Sequence, residues 1–209
     1  MTKQVTSDDE IRHHIIEINK EASKPILNEL SQAGFDVEWV SDLYNKHLNY
    51  RQVIPILLKW LLRVENKDVK VSIVRALSVP WARKTSAPRL LVNEFRRQFS
   101  DPNLQWVIGN ALSVVADDEL LNEIVELIRD PKNGKAREML VISLGNMKKP
   151  EVEKILIELL EDEDLAGYAI MVLGKKKSKK ARPIIERYQS HSKSWVRREA
   201  KKALIKIGK

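Results

Sequence analysis

Four histidines, the acidic pair Asp117-Asp118, five tryptophans and a run of lysines are the side chains with the chemistry to make a site. His13, His14, His47 and His191 share no H-E-x-x-H or other metal-ligand spacing, and the adjacent His13 and His14 point to different sides of a helix. The chain has no cysteine, which removes thiolate nucleophiles, disulfides and cysteine-bound zinc or iron–sulfur clusters. Its seven glycines form no G-x-x-x-x-G-K phosphate loop. Asp117-Asp118 has the carboxylates for acid–base work, but Glu119-Leu120-Leu121 follows it. Carboxylates ahead of an apolar run are what the positive end of a helix recruits. The residues therefore predict no catalytic group, no metal ion, no cofactor and no small-molecule substrate.

The lysines are the stronger signal. Residues 167–209 hold fourteen Lys and Arg against Glu186 and Glu199, a net +12, which leaves −4 of the chain's +8 for the rest. Lys175, Lys176, Lys177, Lys179, Lys180 and Arg182 fall where one helix should end and the next begin. Arg197, Arg198, Lys201 and Lys202 follow on a later helical segment. Such a block can capture a phosphate backbone, an anionic membrane surface or an acidic protein, and Trp195 and Tyr188 are near enough to interleave with it. It equally suits a solubilising end, because lysines favour helix C-termini and a terminal repeat needs a charged outer face. Arg83, Lys84, Arg89, Arg96 and Arg97 make a second basic cluster placed to continue the patch.

The elements that must position these residues come from an internal repeat. Five segments carry an apolar residue (offset 0), usually a basic or amide residue next, an apolar residue at offset 4, then a small residue and Leu at offsets 7 and 8. They start at Val69, Leu104, Ala136, Leu165 and Val196, and their leucines (Leu77, Leu112, Leu144, Leu173, Leu204) are 35, 32, 29 and 31 residues apart. Offsets 0, 4, 7, 8 and 11 share one side of a 3.6-residue helix. Ahead of each such B helix lies another apolar stretch, an A helix. Pro25, Pro55, Pro88 and Pro183 hold one register in four of the six A stretches, and that phasing predicts a bend in each. Ser100-Asp101-Pro102-Asn103, Asp130-Pro131-Lys132-Asn133-Gly134 and Lys148-Lys149-Pro150 read as short turns between antiparallel neighbours. A period near 30 residues marks stacked helical repeats.

Val196-Arg197-x-x-Ala200-x-x-Ala203-Leu204 resembles the inner helix of a HEAT repeat, and the phased prolines resemble those of HEAT outer helices. The resemblance runs over roughly residues 20–208. It implies an all-α, right-handed α-solenoid of about six antiparallel helix pairs in a single domain spanning residues 1–209. Residues 1–48 would form a degenerate N-terminal cap and residues 50–208 the regular repeats. The Asp that HEAT repeats carry five residues before the Val-Arg pair is missing here, since Asp68, Asp101, Asp130 and Asp162 sit at other offsets.

If offsets 0, 4, 7, 8 and 11 are buried, offsets 2 and 6 point away from the core. Those positions hold Val71 and Arg75, Trp106 and Asn110, Glu138 and Ile142, Gly167 and Met171, Arg198 and Lys202. Val71, Trp106, Ile142 and Met171 are too apolar for a purely solvated register. Exposed apolar groups rimmed by polar ones mark contact sites, where Trp, Met and Arg are enriched; burial of the four between adjacent B helices is the competing explanation. The leading expectation is a non-catalytic scaffold offering a concave face to a protein or peptide. The alternative is nucleic-acid binding through Lys175, Lys176, Lys177, Lys179, Lys180, Arg182, Arg197 and Lys201. Some DNA glycosylases acting on alkylated bases are built from HEAT-like repeats, and the five tryptophans keep that class as a third reading. Met1 to Glu10 is polar and acidic, and the richest apolar run, Val53 to Leu62, is broken by Pro55 and Lys59. With no cysteine to need an oxidising compartment, a cytoplasmic protein without membrane insertion is expected.

Overall fold

The computed structural model describes residues 7–208, which form twelve α-helices joined by turns and single turns of 3-10 helix, with no strand among the described residues. The fold class is all-α. No described helix is long and apolar enough to cross a membrane. The chain divides into two compact units, residues 1–78 and 79–209.

The first unit contains α1 (Ser7–Gln32), α2 (Asp42–Asn45), α3 (Ile54–Leu61) and α4 (Lys67–Leu77). Helix α1 packs on α3 and α4 through its C-terminal half, where Ser23, Ile26 and Leu30 are buried, while Ile11, Ile15 and Ile18 stay exposed. Lys59 of α3 pairs with Glu29 of α1 at 2.5 Å, and that hydrogen bond is the main reason the Glu29 carboxyl sits below its ordinary range. Tyr50 is fully buried and donates its hydroxyl to the Ala76 carbonyl at 2.9 Å, satisfying one of the orphan carbonyls at the end of α4.

The second unit pairs α5 (Ala87–Arg97), α7 (Leu121–Arg129), α9 (Glu151–Glu158) and α11 (Arg182–Arg187), the A helices, with the B helices α6 (Pro102–Val115), α8 (Ala136–Ser143), α10 (Ala166–Lys175) and α12 (Ser194–Ile207). Each A helix packs on the B helix after it, and the B helices touch in succession, α6 on α8, α8 on α10, α10 on α12. In the five B segments every residue at offsets 0, 4 and 7 is buried, as is every offset-8 leucine except the half-buried Leu204. Small residues set how closely the helices approach. A Cβ on Gly174 would lie 2.7 Å from the Ala203 Cα, and one on Gly167 would enter the Trp195 ring, so α10 and α12 can meet only because both are glycine.

The prolines do something other than the phasing predicts. Pro55, Pro88 and Pro183 occupy the first two positions of α3, α5 and α11, where the missing N–H would be unpaired anyway, so they start the A helices. Only Pro25 lies inside a helix.

The residue at offset 1 has a role that the pattern alone does not disclose. Gln105 donates to the Phe95 carbonyl at 3.2 Å, and Arg137 donates Nε to the Ile128 carbonyl at 2.6 Å. Phe95 and Ile128 lie in the last turns of α5 and α7, whose carbonyls have no partner within their own helix. A long donor just inside α6 and α8 thus closes the end of the A helix before it, whereas offset 1 of α10 is Ala166. The same two side chains reach the following repeat, Gln105 to Asn133 at 3.3 Å and Arg137 to Asp162 at 2.5 Å. Asn133 and Asp162 both stand three residues before a B segment. In that register Asn66 and Asp101 also accept the backbone N–H of Val69 and Leu104, capping the helices they introduce, and Asp162 accepts that of Leu165 just ahead of α10.

Many other polar contacts of this unit join residues 28 to 34 apart, the repeat length itself. Arg89 pairs with Glu123, Arg96 with Glu126 and Arg129 with Glu158 along the A helices. Asn146 donates to the Ser113 carbonyl, and the Lys148 and Lys149 backbone N–H groups donate to Asp118. The exposed ion pairs contribute little individually, about 0–1 kcal/mol each; collectively they fix the lateral register.

Candidate functional site

The exposed stripe of the B helices in the second unit begins with offsets 2 and 6. Trp106 on α6 is 39% exposed and Met171 on α10 is 38% exposed, and both belong to this stripe. Asn110, Glu138 and Ile142 are half-buried beside them. Glu138 accepts the Tyr168 hydroxyl at 2.7 Å, and burial together with that carboxylate pushes the Tyr168 phenol up to about 12. Tyr168 also packs against Trp195, with ring centroids 5.2 Å apart, and Trp195 covers Gly167. Trp195 is therefore engaged within the unit rather than standing free beside the lysines. In the first unit, Val71 is half-buried and Arg75 exposed on α4.

The stripe continues one turn further than offsets 2 and 6. Offset 10 is occupied by Asn146, Lys175 and Lys206, and a spacing of four from Ile142, Met171 and Lys202 puts each on the same face of its helix. There α8, α10 and α12 enclose a pocket of about 180 Å³. Ile142 and Met171 contribute apolar surface to its lining, and Lys175, Lys202, Lys206 and Glu199 contribute charge. Glu199, only 13% exposed, accepts Lys202 Nζ at 2.9 Å and lies 3.5 Å from Arg198 Nε. Among the described residues Lys175 reaches the neutral Asn146 amide, at 3.4 Å. The local balance is three ammonium groups against one carboxylate, around an apolar lining.

The remaining basic residues scatter. Lys176 is half-buried and donates to the Met147 carbonyl at 2.5 Å; burial is the main cause of its lowered pKa. Lys180 pairs with Glu153 at 3.5 Å, and Arg182 binds Glu186 at 3.1 Å as well as the Gly208 carbonyl. Arg197 closes the His191 and Ser192 carbonyls at 2.7 and 2.8 Å. Lys177 and Lys179 are exposed, and Lys201 lines a different hollow, with Arg182 and Glu186. Of the second cluster, Arg89 and Arg96 are spent on carboxylates, Arg97 lies 3.7 Å from Glu94, and Arg83 donates to the Val114 carbonyl. The offset pattern thus brings Ile142, Met171 and Lys202 together and leaves Trp106, Asn110 and Arg198 off the pocket lining. It does not include Glu199, Lys206 or Lys175, the last of which the charge pattern groups with the basic run, although all three line the pocket.

Asp117 and Asp118 serve structure. Asp117 accepts the Glu119 N–H at 3.1 Å, and Asp118 holds the loop 30 residues on. His13, His14 and His47 are exposed, and His191 stacks on Tyr188 at 5.7 Å. No group of three potential metal ligands occurs among the described residues. Compared with known proteins, the chain matches no family model, no curated protein and no solved structure at a significant level.

Proposed function

We propose that this chain is a non-catalytic binding scaffold, a HEAT-like α-solenoid whose B-helix face receives a protein or peptide. The observation that carries the reading is the pocket between α8, α10 and α12, where Met171 stays exposed in a helix otherwise devoted to packing. Exposed apolar surface ringed by charge is the composition of a contact site. A rigid stack with its side chains fixed by repeat-to-repeat bonds holds such a surface ready, so little ordering cost falls due when a partner docks. A cytoplasmic setting fits the absence of cysteine.

Nucleic-acid binding is the weaker reading, because Lys180, Arg182 and Arg197 are already engaged and Trp195 lies against Gly167. A glycosylase reading requires an acidic group beside tryptophans in a pocket of nucleobase size, and the B-face pocket has Glu199 but no tryptophan in its lining. The test is selection from a random-peptide mRNA-display library, with Met171→Glu as control. Peptides enriched on the wild-type chain and released by Met171→Glu are expected. No enrichment, together with oligonucleotide binding that falls steeply and linearly in log K against log salt, replaces the scaffold reading with the nucleic-acid one.

A further inference from the structure

We propose that the pocket between α8, α10 and α12 is specific for an acidic peptide segment carrying one large apolar anchor residue. This rests on the scaffold reading and names the partner's chemistry.

Two features select the ligand. Ile142 and Met171 offer an unbranched, adaptable thioether beside a branched aliphatic, in a space of about 180 Å³, room for one large apolar side chain rather than a sequence of them. Around it stand Lys175, Lys202 and Lys206, with Glu199 as the single acid. Glu199 is held by Lys202 and Arg198, so it orients Lys202 and is itself neutralised. Lys175 and Lys206 remain without a carboxylate partner among the described residues. An apolar anchor flanked by carboxylates satisfies both features; a neutral ligand leaves the lysines idle, and a basic one is repelled.

The span sets the segment's length. Three neighbouring helices at about 8–10 Å spacing cover roughly 16–20 Å, which an extended chain crosses in about six residues at 3.3 Å each. The ligand is therefore a short segment that sets its anchor against Ile142 and Met171 and carries Asp or Glu toward Lys175, Lys202 and Lys206. A phosphate backbone fits less well, because the apolar lining gives it nothing to bury.

The experiment is the same display selection, run in parallel on the wild-type chain, on Lys175→Glu/Lys206→Glu, and on the conservative Lys175→Arg/Lys206→Arg, each checked by helical circular dichroism. Neither replaced lysine has a charged partner among the described residues, so the fold is expected to survive in all three. Wild type and the arginine pair should enrich acidic peptides with a single Leu, Ile, Met or Phe. The glutamate pair should bind those peptides about tenfold more weakly or worse, and should itself enrich neutral or basic sequences. A fluorescent copy of the top peptide should weaken severalfold between low and physiological salt.

Enriched peptides of neutral or basic character, or acidic peptides indifferent to Lys175→Glu/Lys206→Glu, overturn the inference while leaving the scaffold reading intact. Failure to enrich any peptide on wild type overturns both. A 20-nucleotide strand that competes with the peptide and loses binding in the glutamate pair assigns the pocket to nucleic acid instead.

Discussion

Arg137→Ala tests whether one side chain joins two repeats. Arg137 is nearly buried; its Nε lies 2.6 Å from the Ile128 carbonyl and its Nη2 2.5 Å from Asp162, whose side chain is 31% exposed. Truncation leaves the Ile128 carbonyl at the end of α7 unsatisfied, costing about 1–2 kcal/mol. Losing the buried methylene stem costs about 1 kcal/mol more. The ion pair itself adds about 1 kcal/mol, since Asp162 still meets water. The total is about 3 kcal/mol, which for a chain of this length lowers the melting temperature by about 6–12 °C. The pH dependence separates the pair from the packing. Burial raises the Asp162 carboxyl, but Arg137 and the Asp164 and Leu165 N–H groups more than offset this, so its pKa in the folded chain is lowered. A lowered carboxylate contributes stability above its unfolded value of about 3.9, and that contribution is lost as pH falls through the folded value. The gap between wild type and Arg137→Ala, measured by urea denaturation followed by circular dichroism, should be widest near pH 7 and should narrow by about 1 kcal/mol near pH 3. A melting shift under about 2 °C, or a gap that ignores pH, refutes the idea that Arg137 clamps α7 to the Asp162 turn.

Gly174→Val drives a branched side chain against the Ala203 backbone and should cost more than about 1–3 kcal/mol in denaturant, whereas Gly134→Ala meets no atom within 4 Å and is strained only by its positive φ. Tyr50→Phe should cost about 1 kcal/mol at pH 7. Burial is the main cause that pushes the Tyr50 phenol up to about 12, so wild type loses the proton-linked stability between the unfolded value of about 10 and pH 12. Alkaline titration of the phenylalanine variant should lack that part of the loss. Trp106→Ala removes a side chain that is 39% exposed and should leave the melting temperature within a few degrees while weakening any selected partner that spans α6. A drop of about 10 °C would instead make Trp106 part of the core.

The packing register was legible because it is over-determined. Offsets 0, 4 and 7 are buried in all five segments, so apolar or small residues recur there from Ile73 to Ala200 and can be read by eye. The lateral polar bonds were harder to see. An acid five residues ahead of the B segment is absent, yet Asn133 and Asp162, three residues ahead, take its place as partners of Gln105 and Arg137. Asn66 and Asp101 use that position to cap their own helices, whereas Asn133 and Asp162 receive the previous repeat, and a search for one fixed spacing misses both duties. The phased prolines were misread for a related reason. Proline can start a helix or bend it, and only the position of the first turn, which sequence fixes within a few residues, decides between them.

The pocket was half-legible because a helix face is a stripe and the offset rule stopped after two positions. Continuing from offsets 2 and 6 to offset 10 adds Lys175 and Lys206, which charge counting had assigned to a diffuse basic end. What the count could not show is how many lysines are already employed. Lys176 donates to a carbonyl and Lys180 pairs with Glu153, while Lys175 and Lys206 flank an open apolar lining. In the proposed reading the charges left unpaired among the described residues, not the total, set the ligand preference. In a repeat protein the residues at packed offsets are constrained by both neighbouring helices, so function is confined to the stripe those neighbours leave uncovered. Along α8, α10 and α12 that stripe changes from apolar Ile142 and Met171 to charged Lys202 and Lys206, and the proposed peptide is the one that carries the complementary change, from apolar anchor to carboxylates.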